Sequence, residues 1–386
     1  MAVDTSQLPA GDKAAADDAV RVLIVDDSAV VRGLTKRWID EEADLTVIGS
    51  ASNGVMAIQQ AGNLLPDVAI LDIEMPQMDG ISALPEILKA APGIKVVMAS
   101  TLTARNAEVS LKALALGAAD YVAKPQASAE MQDPGGFRRE LIEKVRALAS
   151  ARRMRPRGEA RQVSGSNEQN KVKARPEGGL YGAAPIVTRQ AGTRKPDVIA
   201  IGSSTGGPQA LQKVMASLAS LGQPILITQH MPPTFTTVLA DHLSTIQGIT
   251  CTEAKDGTVV EAGQTYLAPG DYHMTVSRRG TDVMINLNQD PPENFCRPAV
   301  DPMFRSLAET YGGGVFAVVL TGMGHDGLNG GEAIVAKGGT LIAQDEASSV
   351  VWGMPGAVAT GGLCSAVLPL TDIGPAVARV ANGGKL

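Results

Sequence analysis

Two parallel α/β units joined by a basic connector are the fold class this sequence predicts. The first is an N-terminal (βα)5 unit, and the second is a doubly wound, mostly parallel α/β unit with an antiparallel hairpin. Three observations predict it. Short β-branched apolar runs alternate with helical patterns five times within residues 20–148, the alternation restarts at Asp197, and the stretch between has little periodic hydrophobicity. Strands without a polar face are those covered by helices on both sides, as in a parallel sheet.

In the first unit the strand-like runs are Val22–Val25, Thr46–Ile48, Val68–Leu71, Lys95–Ala99 and Asp120–Val122. Helical patterns at Ala29–Ile39, Gly54–Ala61, Gly80–Ala90, Arg105–Gly117 and Phe137–Leu148 separate and follow them. Residues 1–19 read as a disordered lead-in and 149–195 as a flexible linker. From Ala151 to Lys195 eleven Lys or Arg stand against three Glu, a net of +8 within a chain of net −6. Such a run is either a solvated tether or a patch that steers an acidic partner. In residues 196–386 strands are expected at Val198–Ile201, Pro224–Thr228, Val315–Leu320 and Thr340–Ala343, with helices at Pro208–Leu221, Thr234–Ile246, Gly330–Lys337 and Thr371–Ala381. Met274–Ser277 and Asp282–Asn286 flank a Gly-containing turn and read as a hairpin laid onto the sheet.

Bulk composition narrows the function classes. At 386 residues the chain is long enough for two cores, and with 3% aromatics these cores must be aliphatic. The negative net charge argues against nucleic acid as the main partner. No apolar run approaches the roughly 18 residues of a spanning helix, and the first residues lack a signal-peptide pattern, so a cytoplasmic chain without membrane insertion is expected. Cys251, Cys296 and Cys364 have no metal-ligand spacing.

In an open parallel sheet, reactive groups collect beyond the carboxyl ends of the strands. In the first unit that edge gathers Asp26, Asp27, Asp72, Ser100 and Lys124. Clustered carboxylates repel, and a hard cation such as Mg²⁺ relieves them. One carboxylate can then accept a phosphoryl group, with a lysine and a hydroxyl pairing the new oxygens. In the second unit Ser204 lies in Gly202-Ser203-Ser204-Thr205-Gly206, His230 follows the next strand, and Asp326 follows a later one. A serine needs a base to attack an ester, a histidine serves near neutral pH, and an aspartate orients it. Ser203 is the alternative nucleophile, and a phosphate- or dinucleotide-binding turn is the alternative use of the glycines. His242 reads as a surface or packing residue and His273 as structural, while His325 has no predictable direction.

The motifs sharpen this reading. Val25-Asp26-Asp27-Ser28, Leu71-Asp72-Ile73-Glu74-Met75-Pro76 with Met78-Asp79-Gly80, and Tyr121-Val122-Ala123-Lys124-Pro125 make residues 21–125 resemble a response-regulator receiver domain. That resemblance implies Asp72 as phospho-acceptor and Asp26 and Asp27 as Mg²⁺-holding acids, with the Glu74 main-chain carbonyl completing the metal site. It also implies Ser100 as switch hydroxyl, Lys124 as phosphate-pairing cation and Tyr121 as the aromatic that changes rotamer. Ile201 to Gly207, Gln229 to Pro232, Tyr266 to Gly270, Arg297 to Asp301 and Leu320 to Gly327 make residues 197–370 resemble the catalytic domain of the CheB methylesterase family. Here the resemblance implies Ser204 as nucleophile, His230 as base, Asp326 as its orienter and the Met323 backbone N–H as oxyanion donor. It departs from the common pattern at Ser203, Ala299 and His325.

Together the two resemblances imply a phosphorylation-activated protein-glutamate methylesterase. Its substrates would be glutamate methyl esters on the cytoplasmic helices of methylated chemoreceptors. It would also deamidate receptor glutamines, take its phosphoryl group from a histidine kinase, and need no cofactor for hydrolysis. Two other readings are a response regulator with a non-catalytic C-terminal binding module, and an esterase for a different acyl substrate.

Overall fold

The computed structural model describes residues 19–101, 103–124, 136–153, 186–219 and 221–386, without the side chains of 151–153. Most of the expected lead-in and linker, and Pro125, lie outside these residues. The chain divides into two compact units.

The first holds β1 (Val20–Val25), β2 (Leu45–Ala51), β3 (Val68–Asp72), β4 (Lys95–Thr101) and β5 (Asp120–Lys124), a parallel sheet in the order β2-β1-β3-β4-β5. The central strand β3 is buried at all five residues, which is why its sequence has no polar alternation. Helices α1 (Ala29–Asp40), α2 (Gly54–Leu64) and α3 (Gly80–Ala90) each start on a side-chain cap. The acceptors are Ser28, Asn53 and Asp79, whose oxygens take the N–H groups of Val31, Met56 and Ser82. Helix α4 (Ala104–Ala115) links β4 to β5. Helix α5 (Phe137–Arg153) runs five residues past its expected end, because Ala149, Ser150 and Ala151 continue the helix without a breaker. It leans on α1 through a Trp38–Phe137 edge-to-face contact at 5.8 Å and on the turn between α1 and β2 through Arg146 to Glu42 and Asp44.

The second unit holds a seven-stranded parallel sheet in the order β14-β13-β12-β6-β7-β9-β8. Its strands are β6 (Val198–Ser203), β7 (Ile225–Gln229), β8 (Cys251–Glu253), β9 (Thr265–Leu267), β12 (Val315–Val319), β13 (Thr340–Gln344) and β14 (Ala366–Leu368). The helices are α6 (Gly207–Met215), α7 (Phe235–Ser244), α8 (Val300–Tyr311), α9 (Leu328–Ala336), α10 (Met354–Thr360) and α11 (Leu370–Ala381). Strand order reverses between β6 and β12, which makes their carboxyl ends the switch point where such sheets bind ligands. The hairpin β10 (His273–Arg279) and β11 (Asp282–Asn288) pairs with itself as a separate two-stranded sheet rather than extending the large one. It lies on α8, where the Val276 N–H donates to Ser306 Oγ at 3.0 Å. Its Met274, Val276, Val283 and Ile285 enter the same aliphatic core as the inward faces of β6, β12 and β13.

Part of the expected linker is docked. The Arg189 N–H donates to the Cys364 carbonyl and the Gly192 N–H to Thr340 Oγ1, both at 2.9 Å, so this end of the basic stretch runs along the second unit.

Candidate active site

In the first unit the carboxyl-end carboxylates converge as expected. Among the described residues, Asp26, Asp27 and Asp72 bring carboxylate oxygens within 4.8 Å of one another, with Asp26 and Asp72 buried and Asp27 exposed. Lys124 Nζ lies 2.6 Å from Asp26 Oδ2 and 2.7 Å from Asp72 Oδ1. Burial pushes the Asp72 carboxyl up to about 6; Lys124 pulls it down and the charge of Asp26 pushes it further up. An all-carboxylate donor set with repulsion still in it fits a hard divalent cation, the kind receiver domains bind. Ser100 is buried one residue past Ala99, the β4 partner of Asp72. Tyr121 is buried on β5, with the Lys144 ammonium 5.2 Å from its ring centroid. The Glu74 side chain points to solvent. Gly80 is required here: a Cβ would strike the Asp72 carbonyl oxygen.

In the second unit Ser204 directly follows β6 and is the partly exposed residue in a stretch otherwise buried from Val198 to Pro208. Gly206, at φ +77°, turns the chain from Ser204 into α6. Ser203 is fully buried and donates to Gln229 Oε1 at 2.7 Å. The Gln229 amide nitrogen donates in turn to the carbonyls of Ser204 and His230, at 2.9 and 3.1 Å, tying the ends of β6 and β7 together. Gly322 lies against the serine: the Ser204 N–H donates to Thr321 O at 3.0 Å, and a Cβ on Gly322 would stand 2.9 Å from Ser204 Cβ. Met323, the next residue, is half-buried.

His230 Nε2 lies 2.7 Å from Asp326 Oδ2. An ionised carboxylate only accepts, so Nε2 carries a proton, and in the neutral ring Nδ1 is the acceptor; Cys296 hydrogen-bonds the ring as well. Burial alone would depress the imidazole; the neighbouring Cys296 sulfur and the Asp326 carboxylate outweigh it and hold the ring well above the ordinary histidine range. Burial opposes charge on Asp326 too, yet the His230 ring and the N–H groups of Val300 and Asp301 keep it below the usual carboxylate range.

Three further groups lie at the site that motif reasoning gave no role: Cys296, Asn294 and Asp301. Asp301 was legible only as the end of Arg297-Pro298-Ala299-Val300-Asp301, and nothing in the spacing of Asn294 or Cys296 points to Asp326 or His230. Of the other histidines, His242 is exposed on α7 and His325 is exposed beside Asp326. His273 is buried, accepting the Ala299 N–H at Nδ1 and meeting the Pro291 carbonyl at Nε2, a neutral structural ring.

Comparison with known proteins finds matches in both halves of the chain. A family model described as the response regulator receiver domain matches residues 22–134, and one described as the CheB methylesterase matches residues 199–377. A "Protein-glutamate methylesterase/protein-glutamine glutaminase 1" of Rhodospirillum rubrum is 55% identical over 370 residues, covering 94% of this chain and 95% of its own. The corresponding protein of the group 2 operon of Rhodospirillum centenum is 53% identical over 376 residues, covering 94% of each chain. The crystal structure of the Thermotoga maritima CheB methylesterase catalytic domain is 39% identical, covering 48% of this chain and 100% of that one, with a TM-score of 0.47. With paired carboxylates and a lysine at one sheet's edge, a serine, histidine and aspartate at the other's, and full-length relatives above half identity, the chain belongs to the CheB methylesterase family, with a receiver domain preceding the methylesterase domain.

Proposed function

We propose that the protein is a phosphorylation-activated protein-glutamate methylesterase that removes methyl esters from glutamates of chemoreceptor cytoplasmic helices and deamidates receptor glutamines by the same route. Residues 20–148 act as the receiver and 196–386 as the catalytic domain. The observations that carry the reading are the 2.7 Å His230–Asp326 bond after β7 and the partly exposed Ser204 after the neighbouring strand β6, at the switch point of the second sheet.

Ser204 Oγ attacks the ester carbonyl while His230 Nδ1 takes its proton. The charge developing on the carbonyl oxygen is met by the Met323 N–H. His230 then protonates the departing methoxide, and methanol leaves the acyl-enzyme. Water, activated by the same ring, releases glutamate and restores Ser204. Asp326 stays ionised throughout and stabilises the imidazolium.

On the receiver, Asp72 accepts the phosphoryl group from the pathway's histidine kinase. Asp26, Asp27, Asp72 and the Glu74 carbonyl would hold the Mg²⁺, which offsets charge on the incoming phosphoryl oxygens. Lys124, Ser100 and Tyr121 read the modified state. Adding nearly two negative charges to a buried carboxylate forces local repacking, the event that raises esterase activity.

The deciding measurement is methanol release from methylated receptor membranes by the full chain, with and without a small phosphodonor. Activity that rises with phosphodonor, fails to rise in Asp72→Asn and vanishes in Ser204→Ala supports the reading; full demethylation by Ser204→Ala rejects it.

A further inference from the structure

Asp326 is held by more than histidine. Its Oδ1 accepts N–H groups from Asp301 and Gly327, both at 3.0 Å, and from the Asn294 side-chain amide at 3.1 Å. Its Oδ2 accepts the Val300 N–H at 2.6 Å besides His230 Nε2. Asp301, fully buried, stands beside it: its Oδ1 takes the N–H groups of Gly327 (3.0 Å) and Gly330 (2.6 Å), and its Oδ2 takes the Asn294 amide at 3.3 Å. The two carboxylates therefore share two donors, the Gly327 N–H and Asn294 Nδ2. They also cap each other's helices. Ala299 and Gly327, the N-cap residues of α8 and α9, have no side-chain acceptor; Asp326 caps the amides opening α8, and Asp301, within α8, caps those opening α9. Asn294 is delivered by a loop in which both it and Phe295 have left-handed φ, +51° and +63°, a conformation costly for Phe.

We infer that Asn294 and Asp301 are positioning residues of the esterase site: Asn294 bridges two buried carboxylates so that Asp326 keeps one orientation toward His230 Nε2, and Asp301 sets the local negative charge that the ring faces. This rests on the Ser204–His230–Asp326 reading. The charged and titratable groups facing the pair are His230 and Cys296 on one side, and on the other Arg305, whose guanidinium is paired with Glu293. Losing the Asn294 amide removes a donor from both carboxylates, so the ring faces more uncompensated charge and holds its proton to higher pH. Replacing Asp301 with Asn deletes one charge and lets the ring lose its proton at lower pH.

The test is the pH dependence of kcat/KM for methanol release by the full-length protein. Asn294→Gly removes the amide while suiting the positive φ; Asn294→Ser returns a hydroxyl donor. Asn294→Gly should lower kcat by about 10–100-fold with KM little changed, and should move the rising limb to higher pH. Asn294→Ser should recover part of the rate, and Asp301→Asn should move the limb to lower pH. Limbs that stay at the wild-type position, or move the same way in both variants, overturn the inference even if melting temperatures fall. Ser204→Ala runs alongside: activity remaining there sinks the site itself, whereas its loss with unmoved limbs sinks this inference alone.

Discussion

The hydroxyl of Ser203 is locked to the side-chain oxygen of Gln229, 2.7 Å away and sealed from solvent, while its neighbour Ser204 reaches the surface. The two adjacent serines therefore have separable tasks. Ser203→Ala should keep methanol release within a few-fold of wild type while lowering stability by about 1–2 kcal/mol, the effect of stranding a buried acceptor. Denaturation midpoints and initial rates check this. A Ser203→Ala protein as inactive as Ser204→Ala would show that the two tasks are not separable, and an inactive Ser203→Ala beside an active Ser204→Ala that the assignment is reversed.

Against the pull of burial, Cys296 and the Asp326 carboxylate hold the His230 ring above its ordinary range, and a ring serving as the proposed base must be neutral to take a proton. The rate should thus still climb with pH above neutrality rather than level off near the roughly 6.5 of a free histidine. Cys296→Ala, by removing a group that favours the charged ring, should shift that limb toward lower pH. A wild-type profile already flat at neutral pH would contradict the expectation.

Asp72 is raised from 3.8 to about 6 by burial, against the pull of Lys124. A carboxyl whose folded value lies above its unfolded one opposes folding once ionised, so the penalty is complete above about pH 6 and fades as pH falls toward 4. Asp72→Asn should therefore stabilise the receiver by about 1–3 kcal/mol at pH 7, and the gap should close on acidification. Hydrogen exchange at β1 and β3 amides measures it in the first unit alone. Equal protection of variant and wild type at pH 7 would argue against a burdened carboxylate.

Gly322 packs against Ser204 at the end of β6, and any side chain there would press on Ser204 Cβ and the Met354 sulfur. Gly322→Ala should reduce kcat by more than about tenfold by displacing the nucleophile relative to its base. Its labelling by a serine-directed reagent should slow in parallel. Unchanged labelling would show that the loop yields without moving the serine.

What could be read in advance was what the chain repeats. Five βα units and the ends of β6, β7 and β12 follow from apolar runs that stop at a reactive residue, and the strand-end rule then brings Asp26 to Asp72 and His230 toward Asp326. Three-residue strands such as β8, β9 and β14 are too short to show a period. Helix α8 was not anticipated; Pro302 sits in its first turn, where a missing N–H costs nothing. The hairpin was legible, but its sheet partner was not, since either edge of a pair satisfies the same alternation. Asn294 was invisible because a loop amide gains its meaning only from a carboxylate 32 positions away.

The mutual capping of α8 and α9 bears on how inactive forms of the enzyme should be made for capturing substrate. An alanine at 326 would silence the chemistry and also strip the cap from α8, so a failed capture with that variant would report a damaged scaffold. A loss at 204 leaves both caps in place, and makes the serine the safer position for a bait.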